Sequence, residues 1–300
     1  MPAGMSADAD SAACWHRRAR PLLGTLVEIG VHGRDGAICL SAIDAAFAVV
    51  ASFHRRMSFH ERDSDVAAIA AAAAGTTVQV ASQTWNVLHA ALALEAETDS
   101  VFNVAIAPAL VAAGRLPAPR SDAVAHDLAS SAAAALRLEP DHVVRVVHAV
   151  WIDLGGIAKG AAVDAAIGLL RERGVTMGIV NAGGDLAVFG AIDHGIRVQG
   201  PAPSRLVVDA GSLRDGAIAT SSFSTDPGSG SDAASPLVLP SPGPSMWSGR
   251  SVSVVAPRCL IADALTKVVA ALGPRAKVLL ERHEAHAFSV DGRGRLERVC

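Results

Sequence analysis

The sequence predicts an α+β fold in which helices pack on mixed or antiparallel sheets. Three observations carry that expectation. Segments with strand character are numerous, but they do not alternate regularly with helices as a doubly wound parallel sheet requires. Apolar residues make up 51% of the 300-residue chain and charged residues 18%, enough for a sizeable core and too apolar for wholesale disorder. Short strand-like runs flank a Gly-Gly pair at 183–184, which a tight turn between neighbouring strands explains.

In order along the chain, residues 1–18 read as a flexible leader, and 19–300 as one domain. Residues 22–31 (LLGTLVEIGV) are aliphatic and β-branched and predict a strand. Apolar positions at helical spacing predict helices over 41–57, 65–74, with Ser64 as N-cap, and 83–97. A segment at 102–110 is broken by Pro108, and 112–127 reads as loop. Strands are expected at 133–138 and 143–147, around a Pro140–Asp141 turn, and again at 151–154. Residues 157–173 form a strong helix pattern closed by Gly174. Short strands follow at 178–180, 186–189, 197–199 and 206–208. Residues 221–250 are rich in Ser, Pro and Gly and predict a long loop. A strand at 251–256, helices at 261–272 and 276–282, and a strand at 287–290 complete the chain.

Bulk properties exclude some functions. A net charge of −3 argues against nucleic-acid binding, which favours a basic surface. The four cysteines, Cys14, Cys39, Cys259 and Cys300, lack metal-ligand spacing and suit free thiols. No run of about 20 apolar residues free of charge appears, so no membrane span is expected. The N-terminal residues lack the apolar core of a signal peptide, and the expected location is the cytoplasm. Tyr is absent, and only Lys159, Lys267 and Lys277 are lysines.

Three segments carry chemistry. In WIDLGGIAKGAAVD, at 151–164, Gly155 and Gly156 allow a tight turn into a helix, whose N-terminal amides favour an anion. Lys159 adds a point charge, and Asp164 follows about one and a half turns on. A pyrophosphate suits such a place; so does a Gly-rich turn that merely packs a helix on a sheet. In NAGGDLAVFG, at 181–190, Asn181 and Asp185 flank Gly183 and Gly184 and offer bonds to a ribose, a base edge or backbone; a plain hairpin explains them equally. In ADALTKVVAALG, at 262–273, Asp263 is either a helix N-terminal charge or a ligand for a hard cation.

Seven motifs in order, PLLGT (21–25), MSFHERDSD (57–65), TDSVFNVAIAPAL (98–110), DLGGIAKGAAVD (153–164), VNAGGD (180–185), GAIATSS (216–222) and ADAL with a later LG (262–273), resemble the FAD:protein FMN transferase family, the ApbE-like flavin transferases. The resemblance implies a T-fold-like single domain that binds FAD and Mg2+ and moves FMN onto a Thr or Ser of an acceptor flavoprotein, releasing AMP. It implies FAD contacts from Leu23, His60, Val101, Phe102, Asn103, Asp153, Lys159, Asn181, Gly183, Gly184, Asp185 and Leu237. It implies a metal site from Gly156, Asp263 and Thr266, with Asp263 and Lys267 in the catalytic centre.

The chain departs from the family pattern. His60 replaces a Tyr, and Asn103 replaces an Asp. Lys267 stands where a Thr is usual, one turn after Asp263, with Thr266 one position early. Its ammonium either pairs with Asp263 or a phosphate, or points to solvent. Pro236 replaces a His in the long loop, removing a titratable group, while Leu237 keeps the apolar character beside it. Three readings stay open: an active transferase, an FAD-binding protein without transfer, and an Mg2+-dependent FAD pyrophosphatase.

Overall fold

The computed structural model describes residues 13–119, 128–223 and 249–299. Its strands are β1 (Cys14–Leu22), β2 (Thr25–Gly33), β3 (Thr77–Gln79), β4 (Leu136–Glu139), β5 (Val143–Val146), β6 (Gly178–Ala182), β7 (Asp185–Phe189), β8 (His194–Gln199), β9 (Val207–Leu213), β10 (Gly216–Phe223), β11 (Arg250–Ala256), β12 (His286–Asp291) and β13 (Leu296–Arg298). Its helices are α1 (Gly36–Met57), α2 (Asp65–Ala71), α3 (Ser82–Glu97), α4 (Ala107–Ala112), α5 (Ala132–Ala135), α6 (Ala158–Glu172), α7 (Cys259–Leu272) and α8 (Lys277–Arg282).

Eight strands pair antiparallel in the order β1-β2-β6-β7-β10-β11-β12-β13. The period of two decides which side each residue serves. Val27, Ile29 and Val31 of β2 and Val252 and Val254 of β11 face the helices and are fully buried. On that face α1 packs on β1 and β2, α6 on β6 and β7, and α7 on β10 and β11, with α6 between the other two. On the opposite face the β8–β9 ribbon covers part of the sheet, burying Ile196 and Val198 against Ile218 and Val290. A small sheet, β3-β5-β4, and α2, α3 and α5 extend the main core through Ile69, Leu88, Leu136 and Val144. The expected α+β class is therefore the fold found, with antiparallel pairing throughout.

Several expected elements change. Residues 14–18, read as leader, are strand, because they pair with β2 from Cys14↔Gly33 to Leu22↔Thr25. The single strand expected at 22–31 is a hairpin, turning at Leu23 and Gly24 with φ of 55° and 70°. The strand expected at 133–138 divides: its alanines form the short α5, capped by Ser131 on the Ala134 amide, before β4 begins. Residues 151–154 are not strand; the Asp153 amide makes one bond, to the Val104 carbonyl at 2.8 Å. Of the long loop, residues 221–223 belong to β10, and 224–248 lie outside the described residues. Among the described residues one helix, α1, is long and apolar enough to cross a membrane by length and composition, although it carries Asp44. In this fold its Ile43, Phe47 and Val50 are buried in the core.

Candidate functional site

Two hairpin turns and two helices meet at one end of the main sheet. The β6–β7 turn is Gly183–Gly184, with φ of 66° and 100°, a conformation that side-chain-bearing residues rarely adopt. Asn181 Oδ1 accepts from the Gly184 amide at 2.9 Å and fixes the turn. Beside it lies the β1–β2 turn: a Cβ on Gly183 would come 2.3 Å from Thr25 Oγ1. The two turns abut because β2 pairs with β6 up to Val27↔Ala182.

Helix α6 approaches α7 closely enough that a Cβ on Gly160 would lie 2.3 Å from the Cys259 carbonyl oxygen. This contact brings the Gly160 amide to Asp263 Oδ2 at 3.1 Å. Asp164 reaches across the same interface and accepts from the Cys259 and Leu260 amides at 2.7 and 3.0 Å. It satisfies orphan donors at the N-terminus of α7, with Arg258 3.6 Å away. The sequence left Asp164 open between a pyrophosphate cradle and a packing turn; in the structure its oxygens serve α7. Asp263, expected to open its helix, instead lies a turn inside it and is fully buried.

The charged centre contains two lysines and two carboxylates. Lys159 Nζ is 2.6 Å from Asp185 Oδ2 and 3.6 Å from Asp263 Oδ2. Lys267 Nζ bonds Asp263 twice, to Oδ1 in a tight ion pair and to the backbone carbonyl at 2.8 Å. Burial pushes the Asp263 carboxyl up, but Lys159, Lys267 and the Gly160 amide outweigh it and hold its pKa below the ordinary value. Burial alone would lower the Lys159 ammonium; Asp185 and Asp263 instead raise it above the ordinary lysine range. Burial, reinforced by Asp263, raises Asp185 despite Lys159. Burial also raises Asp153, against the Gly155 amide and Lys159.

Two cavities open on this centre, and Lys159 lines both. The first, about 410 Å3, is bounded by Asn181, Gly183, Gly184, Asp185 and Lys267, and also by Arg197, Gln199, Arg205, Thr220 and Ser221, which the sequence reading did not single out. The second, about 460 Å3, has Leu23, His60 and Asp153 in its wall with Phe53, Met57, Phe59 and Leu116. One is polar and cationic, the other largely apolar, a division suited to an amphipathic anion.

Other expected residues stand apart from the cavity walls. Phe102 is buried near Gly156, 3.9 Å from the position of a Cβ there. Val101 packs half-buried on the core. Asn103 braces the backbone, donating to the Ser130 carbonyl at 2.6 Å and accepting from the Ala105 amide at 2.8 Å. Leu237 and Pro236 lie outside the described residues.

The expected metal ligands do not fit a hard cation as they stand. Mg2+ needs near-octahedral oxygen ligands at about 2.0–2.1 Å. Asp263 Oδ1 is taken by Lys267, and Oδ2 accepts from Gly160. Thr266 Oγ1 donates to the Asp263 carbonyl at 2.7 Å and lies 2.8 Å from Ser221 Oγ. Gly156 faces the Lys267 stem, with Cε 3.6 Å from the position of a Cβ on Gly156. Among the described residues no group of three or more His, Cys, Asp or Glu is arranged for a metal ion.

Comparison with known proteins agrees with this geometry. The ApbE family model matches residues 23–289. The chain belongs to the ApbE family. It is 26% identical over 291 residues to the FAD:protein FMN transferase of Treponema pallidum, covering 86% of this chain and 79% of that protein. It is 31% identical over 183 residues to the FAD:protein FMN transferase of Rhodobacter capsulatus, covering 59% of this chain but only 35% of that longer protein. Among solved ApbE structures, the apo flavinyl transferase ApbE from Pseudomonas stutzeri superimposes with a TM-score of 0.76 at 22% identity, covering 96% of each chain. The ApbE protein from Thermotoga maritima gives 0.74 at 25% identity, covering 95% of this chain and 97% of that one.

Proposed function

We propose that this protein binds FAD across the two cavities and transfers the FMN half to a Thr or Ser hydroxyl of a partner flavoprotein, releasing AMP. The observation that carries this reading is the junction at Lys159, where a polar cavity and an apolar cavity share this residue beside the Gly183–Gly184 turn. Family membership and relatives described as FAD:protein FMN transferases support it. In the proposed step the acceptor hydroxyl oxygen attacks the FMN phosphorus, the bond to the AMP oxygen breaks, and the hydroxyl proton leaves to a base. Lys159 and Lys267 neutralise the charge that spreads over the phosphoryl oxygens. The step draws on this chain's own residues, because the expected metal ligands are otherwise engaged. A cytoplasmic location belongs to the same proposal.

A second reading, FAD binding without transfer, draws on the ion pair of Lys267 with Asp263 and on Pro236, which cannot accept a proton. One assay separates the two. The protein is incubated with FAD and an acceptor flavoprotein, then followed by in-gel flavin fluorescence and AMP chromatography. Transfer gives a fluorescent acceptor band and equimolar AMP. Retained FAD with neither product favours the second reading. AMP formed without acceptor points instead to pyrophosphate hydrolysis.

A further inference from the structure

We propose that the Lys267 ammonium stands in for a divalent cation at Asp263, so that this chain binds the pyrophosphate of a flavin dinucleotide without Mg2+. The proposal rests on the FAD reading above and adds how the anion is held. Asp263 is fully buried, and a buried carboxylate needs compensating charge. Lys267 and Lys159 supply it from two sides, on Oδ1 and near Oδ2. Lys267 also bonds the Asp263 carbonyl, so two oxygens of Asp263 share the same donor. Its stem runs past Gly156, where an added Cβ would be 3.6 Å from Cε. A metal ion entering here must displace an ammonium that is held twice and 13% exposed.

The ammonium is not sealed away from the ligand space. Lys267 lines the polar cavity together with Lys159. Each ammonium has three donors, and Lys267 spends two on Asp263. The third is available to an oxygen anion. Two lysines on neighbouring helices thus do what a bridging cation does elsewhere: they neutralise carboxylates and bind phosphoryl oxygens together.

The test uses MgCl2 and FAD as separate probes on the full chain. Calorimetric titration of wild-type protein with MgCl2 should show no saturable site, and flavin-fluorescence quenching should give equal FAD affinity in EDTA and in millimolar Mg2+. In Lys267→Thr, Mg2+ binding should appear and FAD binding should become Mg2+-dependent by about tenfold or more. In Lys267→Met, FAD binding should weaken whether or not Mg2+ is present; circular dichroism checks that both variants fold. Stoichiometric Mg2+ binding by wild type that Asp263→Asn abolishes would overturn the proposal. So would a tenfold loss of wild-type FAD affinity in EDTA, or unchanged FAD affinity in Lys267→Met. If wild type binds no FAD in either buffer, the FAD reading and the pyrophosphate half of the proposal both fall. The Mg2+ titrations then still decide whether Lys267 excludes the metal.

Discussion

Helices α6 and α7 lie against each other at the same site, yet they bring opposite things to it. Helix α6 starts at the site, after a Gly-Gly turn, and offers Lys159; its Ile157, Ala158 and Gly160 amides are already bonded, to the Leu154 carbonyl and to Asp263. Helix α7 crosses it mid-length and offers a carboxylate, Asp263, that is already clasped. The first helix gives Lys159 to both cavities; the second gives Lys267 to the polar one and directs its carboxylate to the first. Asp164 on α6 caps α7, and Asp263 on α7 accepts from Gly160 on α6. The difference teaches that a buried charge beside a cavity can be part of the scaffold.

Four substitutions would break or sharpen this contrast. The largest expected effect belongs to Lys159→Met, which leaves Asp185 without its ion-pair partner. Breaking a buried pair costs about 3–5 kcal/mol, and the low end, about 3, is expected because the lysine side chain is 27% exposed. Urea denaturation would measure it, and FAD affinity should fall with it. Next comes Gly160→Ala, whose Cβ collides with backbone rather than with a yielding side chain. Overpacking of this kind should cost about 2–3 kcal/mol. A stable variant with α6 and α7 undisturbed would remove the close crossing as a constraint. Asp164→Ala deletes the cap of α7 and should cost about 1 kcal/mol with an unchanged urea m-value; FAD affinity should barely move, since no ligand role is assigned to it.

The smallest effect has the opposite sign. Asp153 is held with a raised pKa, chiefly by burial. Its ionisation therefore opposes folding: the contribution is favourable below the unfolded carboxylate pKa and is lost as pH rises through the folded value. Asp153→Asn should raise the thermal midpoint at neutral pH and show no gain in acid. Asp263 behaves in reverse, because its folded pKa is depressed; its contribution is present above the unfolded pKa and lost as pH falls through the folded value. Thermal melts across pH, wild type against Asp153→Asn, check the first sign. A midpoint that falls at neutral pH would mean that Asp153 is a stabilising charge.

Local chemistry made much of this molecule readable in advance. The Gly183–Gly184 hairpin follows from residues that tolerate positive φ. Helix α6 follows from apolar spacing and its terminal glycines, and Leu23, His60, Asp153, Lys159, Asn181 and Asp185, which the motifs single out, lie in the cavity walls. What was not readable depends on partners distant in the chain. Residues 151–154 have a strand's composition, but no neighbouring strand pairs with them. The role of Asp164 could not be read locally, because its partner amides, Cys259 and Leu260, lie about a hundred residues on. Lys267 was ambiguous between solvent and Asp263 until burial decided for the ion pair. Ser221 carried no chemical signal beyond its motif; only the packing of β10 on α7 brings it to Thr266.

The bond from the Gly160 amide to Asp263 spans 103 residues. It joins a site whose other wall begins at Leu23, near the start of the chain. During synthesis, therefore, the end of the cavity beside Lys159 has no floor until α7 has emerged, long after Leu23. The dinucleotide cannot nucleate folding of the early hairpins. It can act only once α7 has formed, as a late selector of molecules in which α6 and α7 have already closed on each other.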